Sequence, residues 1–273
     1  DKPLEIRGVT TAAHAVTSRH AVLVGPGAAA SLLETYAGPT DTAYQTNSVM
    51  QITTGVAAVV RYARLQAEGD KSVHVGTTTL KLAPKAEFDH LTVTTGALVS
   101  RSQMFITTGG DHTRLGLQGA GMIGGKQHAD VTLLIDHALP GANTRVLFKN
   151  AVDDDARGVF QGKIIVEPDA QKTDAKMMSQ ALLLSATAEF DSKPELEIFA
   201  DDVQCGHGST AGQIDATQLF YLMARGVPRA EAEQLLIEAF LDSAIDALGD
   251  ELIAAALRRT VSAWLAKRGA RAQ

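Results

Sequence analysis

The feature that most constrains the fold of this chain is a series of short segments in which apolar residues alternate with polar or small ones. Alternation with a period of two is typical of β-strands that bury one face. Turn residues such as Gly109-Gly110 and Pro140-Gly141 separate the segments. The pattern predicts strands at 21–25, 72–82, 88–96, 103–110, 114–123, 130–137, 144–152 and 158–166.

Two architectures are built from strands of this kind, an antiparallel sandwich or barrel and a parallel β-helix. The dipeptides Asn-Gly and Asp-Gly, which most strongly indicate two-residue hairpins, do not occur in the sequence. Instead, turn residues recur at even intervals between residues 70 and 200, and strand starts such as KAEFDHLTV and KQHADVTLL resemble one another. Stacked rungs produce such repetition because every rung repeats the same inward-facing pattern. The sequence thus favours a parallel β-helix, and the sandwich stays open as the alternative.

The pattern becomes helical at about residue 213. Asp215 precedes an apolar group and Gly226 follows it, which is typical of an N-cap and of the glycine that ends a helix. Pro228 then stands where the first turn of a second helix tolerates proline. We therefore predict a mainly β chain, with a core domain at 1–212 and an α-helical domain at 213–273.

Two longer helices are expected in the C-terminal region, separated by Gly249. Helical spacing predicts a buried stripe on each of them. On the second helix, the stripe comprises Leu235, Leu236, Ala239, Phe240, Ala244, Ala247 and Leu248. On the third helix, it comprises Leu252, Ile253, Ala256, Leu257, Val261 and Trp264.

Composition excludes several classes of function. The net charge of −6 argues against non-specific nucleic-acid binding, which needs clustered positive charge. No apolar stretch is long enough to span a membrane. The pattern GxxxxGK[ST] is missing, so we do not expect the chain itself to bind a nucleotide.

The single cysteine, Cys205, limits the metal chemistry of the chain. It rules out an internal disulfide or a self-contained four-cysteine site, and it favours a cytoplasmic setting. In a strand, Cys205 and His207 would share one face, together with Asp201 if the strand extends that far back. Thiolate and imidazole are both good iron ligands, but two ligands are only half a site. The alternative is a small buried cysteine beside a histidine in a turn.

Two nearly continuous blocks resemble a known family. They are RGVFQGKIIVEPDAQKTDAKMMSQALLLS at 157–185 and PELEIFADDVQCGHGSTAGQIDATQLFYLMARGV at 194–227. Both look like the C-terminal signature of the SufD branch of the SufB/SufD family of iron–sulfur cluster assembly scaffolds. The C-x-H-G run around Cys205 favours the SufD branch, because the corresponding elements are set apart in SufB. Before about residue 125 the chain matches the family only in general texture.

The resemblance implies a right-handed parallel β-helix core followed by a C-terminal helical region. The chain opens with DKPLEIRG, and we expect it to lack the family's N-terminal helical domain. Members of the SufD branch pair with SufB through the β-helix and dock the SufC ATPase through the helices. Together with two copies of SufC, they form a cytosolic complex that builds a nascent cluster. No cofactor is expected in the isolated chain, and the chain is not expected to be an enzyme.

The resemblance also assigns roles to particular residues. The cluster-assembly positions fall on Cys205 and His207 at the SufB interface, as transient metal ligands shared with the partner, and His207 is the better candidate. The SufC contact is expected within 215–248. Its candidate residues are Phe220, Tyr221, Arg225, Leu236 and Phe240. Helix-in-groove docking uses spaced anchors of this kind, although the same apolar residues could instead cover the β-helix.

Two other readings compete with the scaffold. A β-helix enzyme that acts on polysaccharide needs a wall of stacking aromatic residues, and the sequence has only one Trp and four Tyr. A purely structural dimer module would make Cys205 and His207 incidental. An exposed sheet edge that normally meets SufB could also let the isolated chain form a homodimer.

Overall fold

The computed structural model describes residues 3–109 and 111–271, and it describes side chains in the last helix as far as residue 269. Fifteen strands and three α-helices lie in these ranges. The strands are β1 (Leu4–Val9), β2 (Ala15–Val24), β3 (Ala29–Ala37), β4 (Gln45–Thr54), β5 (Val59–Ala67), β6 (Val73–Leu82), β7 (Glu87–Thr94), β8 (Val99–Thr108), β9 (Arg114–Ile123), β10 (His128–His137), β11 (Asn143–Val152), β12 (Arg157–Val166), β13 (Asp174–Leu183), β14 (Glu189–Ile198) and β15 (Gln204–Gly212).

The strands form a parallel β-solenoid. In the described part of the chain, the odd-numbered strands make one sheet of eight and the even-numbered strands make a second sheet of seven. Each strand pairs in parallel with the strand two places further on, so that His128 stands beside Arg157 and Asn143 beside Asp174. One circuit takes about 30 residues, within the range of solenoid repeats. The predicted β-helix is confirmed, and the antiparallel sandwich is wrong because the strands pair in parallel.

The space between the two sheets holds the main core. It is filled by inward-facing side chains from successive rungs, which stack in rows because the register does not shift along the sheet. The largest apolar members are Tyr62, Phe88, Phe148, Phe160, Met50, Ile52, Leu80, Leu82, Met104 and Ile106. As the alternating pattern of the sequence predicts, every second residue of these strands faces the core.

Three glycines in and just after β9 have the spacing of a nucleotide-binding loop, since Gly119, Gly121 and Gly124 read as GxGxxG. Such a loop joins a strand to a helix, whereas Gly119 and Gly121 lie inside a strand. A Cβ atom on Gly119 would stand 2.2 Å from the ring of Phe148, and one on Gly121 would stand 2.2 Å from the amide oxygen of Asn150. These glycines make room for side chains of the next rung.

The helices follow directly after the last strand. They are α1 (Ala216–Ala224), α2 (Arg229–Ile245) and α3 (Glu251–Arg271), and a 3-10 turn at Asp246–Leu248 joins the last two. Asp215 Oδ1 accepts hydrogen bonds from the backbone N–H groups of Thr217 and Gln218, as its predicted N-cap role requires. Gly226 has a φ of 89°, which suits the predicted glycine after α1. No helix in the described ranges is both long enough and apolar enough to cross a membrane.

Helices α2 and α3 cover the outer face of the odd-numbered sheet and form a second core there. Their buried side chains pack against outward-facing residues of the sheet, among them Leu91, Val93, Ala120 and Met122. The helical members of this core are Ile237, Leu241, Ile245, Leu248, Ile253, Ala254, Leu257, Val261 and Leu265. One sheet of the solenoid is therefore shielded by helices over its middle rungs.

The predicted stripe on α2 is partly wrong. Leu235, Ala239 and Ala247 are exposed, whereas Ile237 and Leu241 are buried. The helix has two apolar faces. The face that packs against the sheet contains Ile237, Leu241 and Ile245, which are spaced four residues apart and therefore form a continuous contact. Leu252, predicted as buried on α3, is also exposed.

Candidate functional site

The C-terminal end of the solenoid exposes two strand edges. Within the described residues, β15 pairs only with β13 and β14 pairs only with β12. The side chains of Phe190, Leu196, Val203 and Cys205 form the last layer of the main core and are only partly buried. An unpaired edge above a partly covered apolar layer is a template for pairing with another chain.

Cys205 and His207 lie side by side on this last rung. Both occupy the row of β15 that continues the inward-facing Ala175 and Met177 of β13. Cys205 is half-buried against the core, and His207 is exposed. Asp201 does not join them, because β15 begins at Gln204. The thiol and the imidazole are thus both within reach of a molecule that covers the open end.

The electrostatic surroundings hold the Cys205 thiol in its neutral form. Burial raises the pKa of Cys205 above its ordinary value; a hydrogen bond with the Ala175 backbone acts in the opposite direction, and the negative charge of Asp174 adds to the increase. Only the thiolate is a metal ligand or a nucleophile. A metal ion that bound here would have to displace the thiol proton.

A shallow, mostly apolar depression lies beside the two residues. Its lining residues include Arg145 and Lys176, which place positive charge at its rim. The remaining residues are Gln118, Val146, Leu147, Met177, Met178, Gln204, Cys205, Gly206, His207, Gly208 and Ala247. The depression joins the open end of the solenoid to the turn between α2 and α3.

The helical residues predicted for docking fall into two groups. Phe220 and Tyr221 are exposed on α1, with the guanidinium of Arg225 5.2 Å from the centre of the Tyr221 ring. Tyr221 and Leu236 line a groove between α1 and α2. Phe240 is not part of this surface, because it packs against the helix–sheet core under Lys149.

Two further exposed residues extend the helical surface. The prediction did not include Met223 or Leu235, which are 41% and 44% exposed. Among the described residues of α1, only Leu219 is buried. A short helix with one buried residue leaves its other apolar residues exposed. In the sequence, the apolar run LFYLM could have indicated this exposed surface.

The remaining histidines do not build a metal site. Within the described residues, no three His, Cys, Asp or Glu side chains are arranged to hold a metal ion. His112 lies in a turn at a φ of 53°. His137 is buried in the core between Thr108 and Thr144, and burial lowers its pKa to about 4.

The fold and the site define a class of protein: a parallel β-solenoid with a helical cover on one sheet and a thiol–imidazole pair at its open end. The family described as "SUF system FeS cluster assembly, SufBD core domain" matches residues 7–240, and the chain belongs to this family. The assignment to iron–sulfur cluster assembly that the resemblance predicts is therefore confirmed at the level of the family.

Individual relatives agree with this assignment. The chain is 35% identical over 234 residues to the iron-sulfur cluster assembly protein SufD of Escherichia coli, covering 85% of this chain and 55% of that protein. It is 32% identical to an iron-sulfur cluster assembly SufBD family protein of Synechocystis, covering 90% of this chain and 56% of the relative. A chloroplastic protein of Arabidopsis thaliana is 31% identical, over 82% of this chain and 48% of that protein. The chain spans about half the length of these relatives.

Proposed function

We propose that this chain is a scaffold subunit of an iron–sulfur cluster assembly complex, and that it is not an enzyme on its own. The observation that carries the proposal is the placement of Cys205 and His207 together on the edge strand β15. Family membership and the similarity to SufD of Escherichia coli support the same role. They also favour it over a polysaccharide-cleaving β-helix enzyme.

In this role the open end of the solenoid receives a SufB-type partner. The free edges of β14 and β15 supply backbone donors and acceptors, and the partly covered layer around Phe190 and Leu196 supplies apolar area. Pairing at such an edge would bury both. A second copy of this chain could occupy the same end when the partner is absent.

The nascent cluster is the cargo of the complex. Cys205 and His207 supply a sulfur and a nitrogen ligand from this side, and the partner supplies the rest of the ligand set. The neutral thiol of the isolated chain fits this division of labour, because the site becomes reactive only when iron or a positive group arrives. The isolated chain then holds no cluster.

The exposed face of α1 is proposed as the docking surface for a SufC-type ATPase. Phe220 and Tyr221 are the anchors, and the groove that Tyr221 and Leu236 line receives a side chain of the partner. Large, exposed aromatic side chains next to a groove are typical of residues that dominate an interface. The complex as a whole is expected in the cytoplasm.

The test of the first part is co-expression of the chain with SufB-type and SufC-type partners, followed by reconstitution with iron and sulfide. A stable complex that acquires the absorption of an iron–sulfur cluster is expected. In the His207→Ala variant, the complex should still form and the yield of cluster should fall. A chain that only forms homodimers, or a variant with an unchanged yield, would contradict the proposed role.

The docking surface is tested by substituting two exposed apolar residues that lie on different helices and comparing the effects on binding. Phe220→Ser on α1 should weaken binding of the SufC-type partner about thirtyfold or more, since anchor residues contribute about 2 kcal/mol or more. Leu252→Ser is the control, because Leu252 is 73% exposed but lies on α3, and Phe220 is 71% exposed. Equal effects of the two substitutions would move the docking surface elsewhere.

A further inference from the structure

Strands β14 and β15 both end the solenoid, but they present different backbone groups at its open edge. In a parallel ladder, alternate residues of a strand direct their N–H and C=O groups to opposite neighbours. The N–H of Glu189 donates to the backbone oxygen of Ala156, so the odd-numbered residues of β14 bond to β12. The N–H of Gln204 donates to the backbone oxygen of Thr173, so the even-numbered residues of β15 bond to β13. The remaining residues of each strand direct their backbone groups to the open edge.

The open edge of β14 is interrupted by Pro194. This residue lies in the middle of the strand and is even-numbered, so its missing N–H is one of those that would face the open edge. A proline at such a position leaves the strand's own pairing intact and removes a donor that an added strand would need. Proline on an edge strand is one of the features by which proteins prevent strand pairing with other chains.

The outer face of β14, opposite the core residues Phe190 and Leu196, is also acidic. Its charged residues are Glu189, Asp191, Lys193, Glu195 and Glu197. The four carboxylate side chains are between 44% and 67% exposed, although cations of β12 and Lys193 pair with them. Carboxylates along an edge repel an incoming strand that carries the same charge.

The open edge of β15 has none of these obstacles. The strand contains neither proline nor a carboxylate. The residues that direct their N–H and C=O groups to the edge are Cys205, His207, Ser209 and Ala211. On the outer face, a Cβ atom added to Gly206 or Gly212 would meet no described atom within 4 Å. An approaching main chain therefore meets an uninterrupted row of backbone groups without bulk or charge beside it.

We propose that a strand of the SufB-type partner pairs with β15, and that Pro194 and the carboxylates keep β14 from pairing in the same way. This inference rests on the proposed function, and it narrows the main-chain contact from two edges to one. Pairing at β15 would fix the partner's backbone directly beside Cys205 and His207, the two residues proposed as ligands. The partner then meets β14 through side chains, for which lysine and arginine are best suited.

A second copy of this chain fits the open end less well than a SufB-type partner does. A twofold axis that pairs β15 with its copy in antiparallel also places β14 opposite its own copy. The acidic outer faces of the two β14 strands would then lie side by side. Like charges across neighbouring strands are destabilising, whereas lysine or arginine on a different partner would be attracted.

The first experiment introduces a proline at each edge of the full chain. Ser209→Pro on β15 and Ser192→Pro on β14 form a matched pair, because each serine directs its N–H to the open edge. Ser209→Pro should weaken binding of the SufB-type protein about tenfold or more, since it removes a donor and its ring obstructs the incoming strand. Ser192→Pro should bind within about twofold of the wild type, because no strand pairs at β14. Titration calorimetry measures the dissociation constants, and thermal unfolding shows whether both variants fold.

Hydrogen exchange followed by mass spectrometry tests the same point without a substitution, and so covers a variant that does not fold. The wild-type chain in complex with the SufB-type protein is compared with the isolated chain at high dilution. Amide groups in 204–212 should exchange more slowly in the complex, because pairing takes them into hydrogen bonds. Amide groups in 189–198 should change less.

The possible outcomes separate this inference from the proposed function. Protection of 189–198 that equals or exceeds that of 204–212, or equal loss of binding in the two proline variants, would overturn the inference and leave the proposed function standing. If the isolated chain at the concentration of the complex shows the same slow exchange in 204–212, a second copy occupies β15 and the inference is also wrong. If the SufB-type protein does not bind the wild-type chain at all, the proposed function itself fails.

Discussion

The early rungs of the solenoid and its C-terminal end differ in how far they enclose their polar side chains. In the early rungs, Glu34 and Arg64 are each about 1% exposed, and Arg64 Nε donates to Glu34 Oε2 at 2.8 Å. Tyr36 and Tyr62 donate to the same carboxylate. At the open end, Cys205 is only half-buried and His207 is exposed. The enclosed pair links two neighbouring rungs inside the solenoid, whereas the thiol and the imidazole at the open end are accessible to another molecule.

The largest expected effect comes from breaking the buried pair. Glu34→Gln leaves the guanidinium of Arg64 inside the solenoid without a counter-charge, and this should lower the free energy of unfolding by about 3–5 kcal/mol. Urea unfolding followed by circular dichroism measures it. Glu195→Gln at the open end, where the ion pair with Lys193 is exposed, is the control and should cause no measurable change. Equal stability of the two variants would remove the contrast between the regions.

The same pair predicts an acid transition. Burial alone would raise the pKa of Glu34, but the charge of Arg64 and the hydrogen bonds from Tyr36, Tyr62 and Arg64 together lower it to about 2, from an ordinary 4.5. A carboxylate with a lowered pKa stabilises the fold above its unfolded-state pKa, and this contribution disappears as the pH falls from about 4.5 to about 2. The loss should amount to about 3 kcal/mol.

Denaturant unfolding at a series of pH values checks this sign. The wild-type free energy of unfolding should fall across that window, and the difference between wild type and Glu34→Gln should shrink with it. A difference that stays constant down to pH 2 would mean that Glu34 is not the group that titrates.

The two regions also differ in how far the sequence predicts them. Alternation predicts β9 at 114–123 without error, because its inward residues are apolar or small. It does not predict β14, where Pro194 and several acidic residues obscure the pattern. Glu34 and Arg64 would be assigned to the surface on residue type alone. Only the register of β3 and β5, which are joined through a full turn of the solenoid, brings them together.

For the candidate site, too, the sequence predicts local features but not contacts between strands. The spacing of Cys205 and His207 is enough to predict that they share a side of a strand, because strand parity is a local property. That β15 is an edge strand depends on where the stacking of rungs stops, which no local pattern reveals. The pairing of Asp174 with Arg145 likewise depends on register between β11 and β13. Residues within one strand are predictable here, and contacts between rungs are not.

The smallest expected effect on stability comes from Cys205. Its side chain is half-buried at the end of the core, so Cys205→Ala removes few contacts and should change the free energy of unfolding by less than about 1 kcal/mol. The same variant should lower the cluster yield of the assembled complex, because it removes the sulfur ligand on this side. Thermal unfolding of the isolated chain and absorption of the reconstituted complex measure the two effects. If Cys205→Ala instead destabilises the chain as strongly as Glu34→Gln, then Cys205 belongs to the closed interior, and the open end is not where this scaffold meets its cargo.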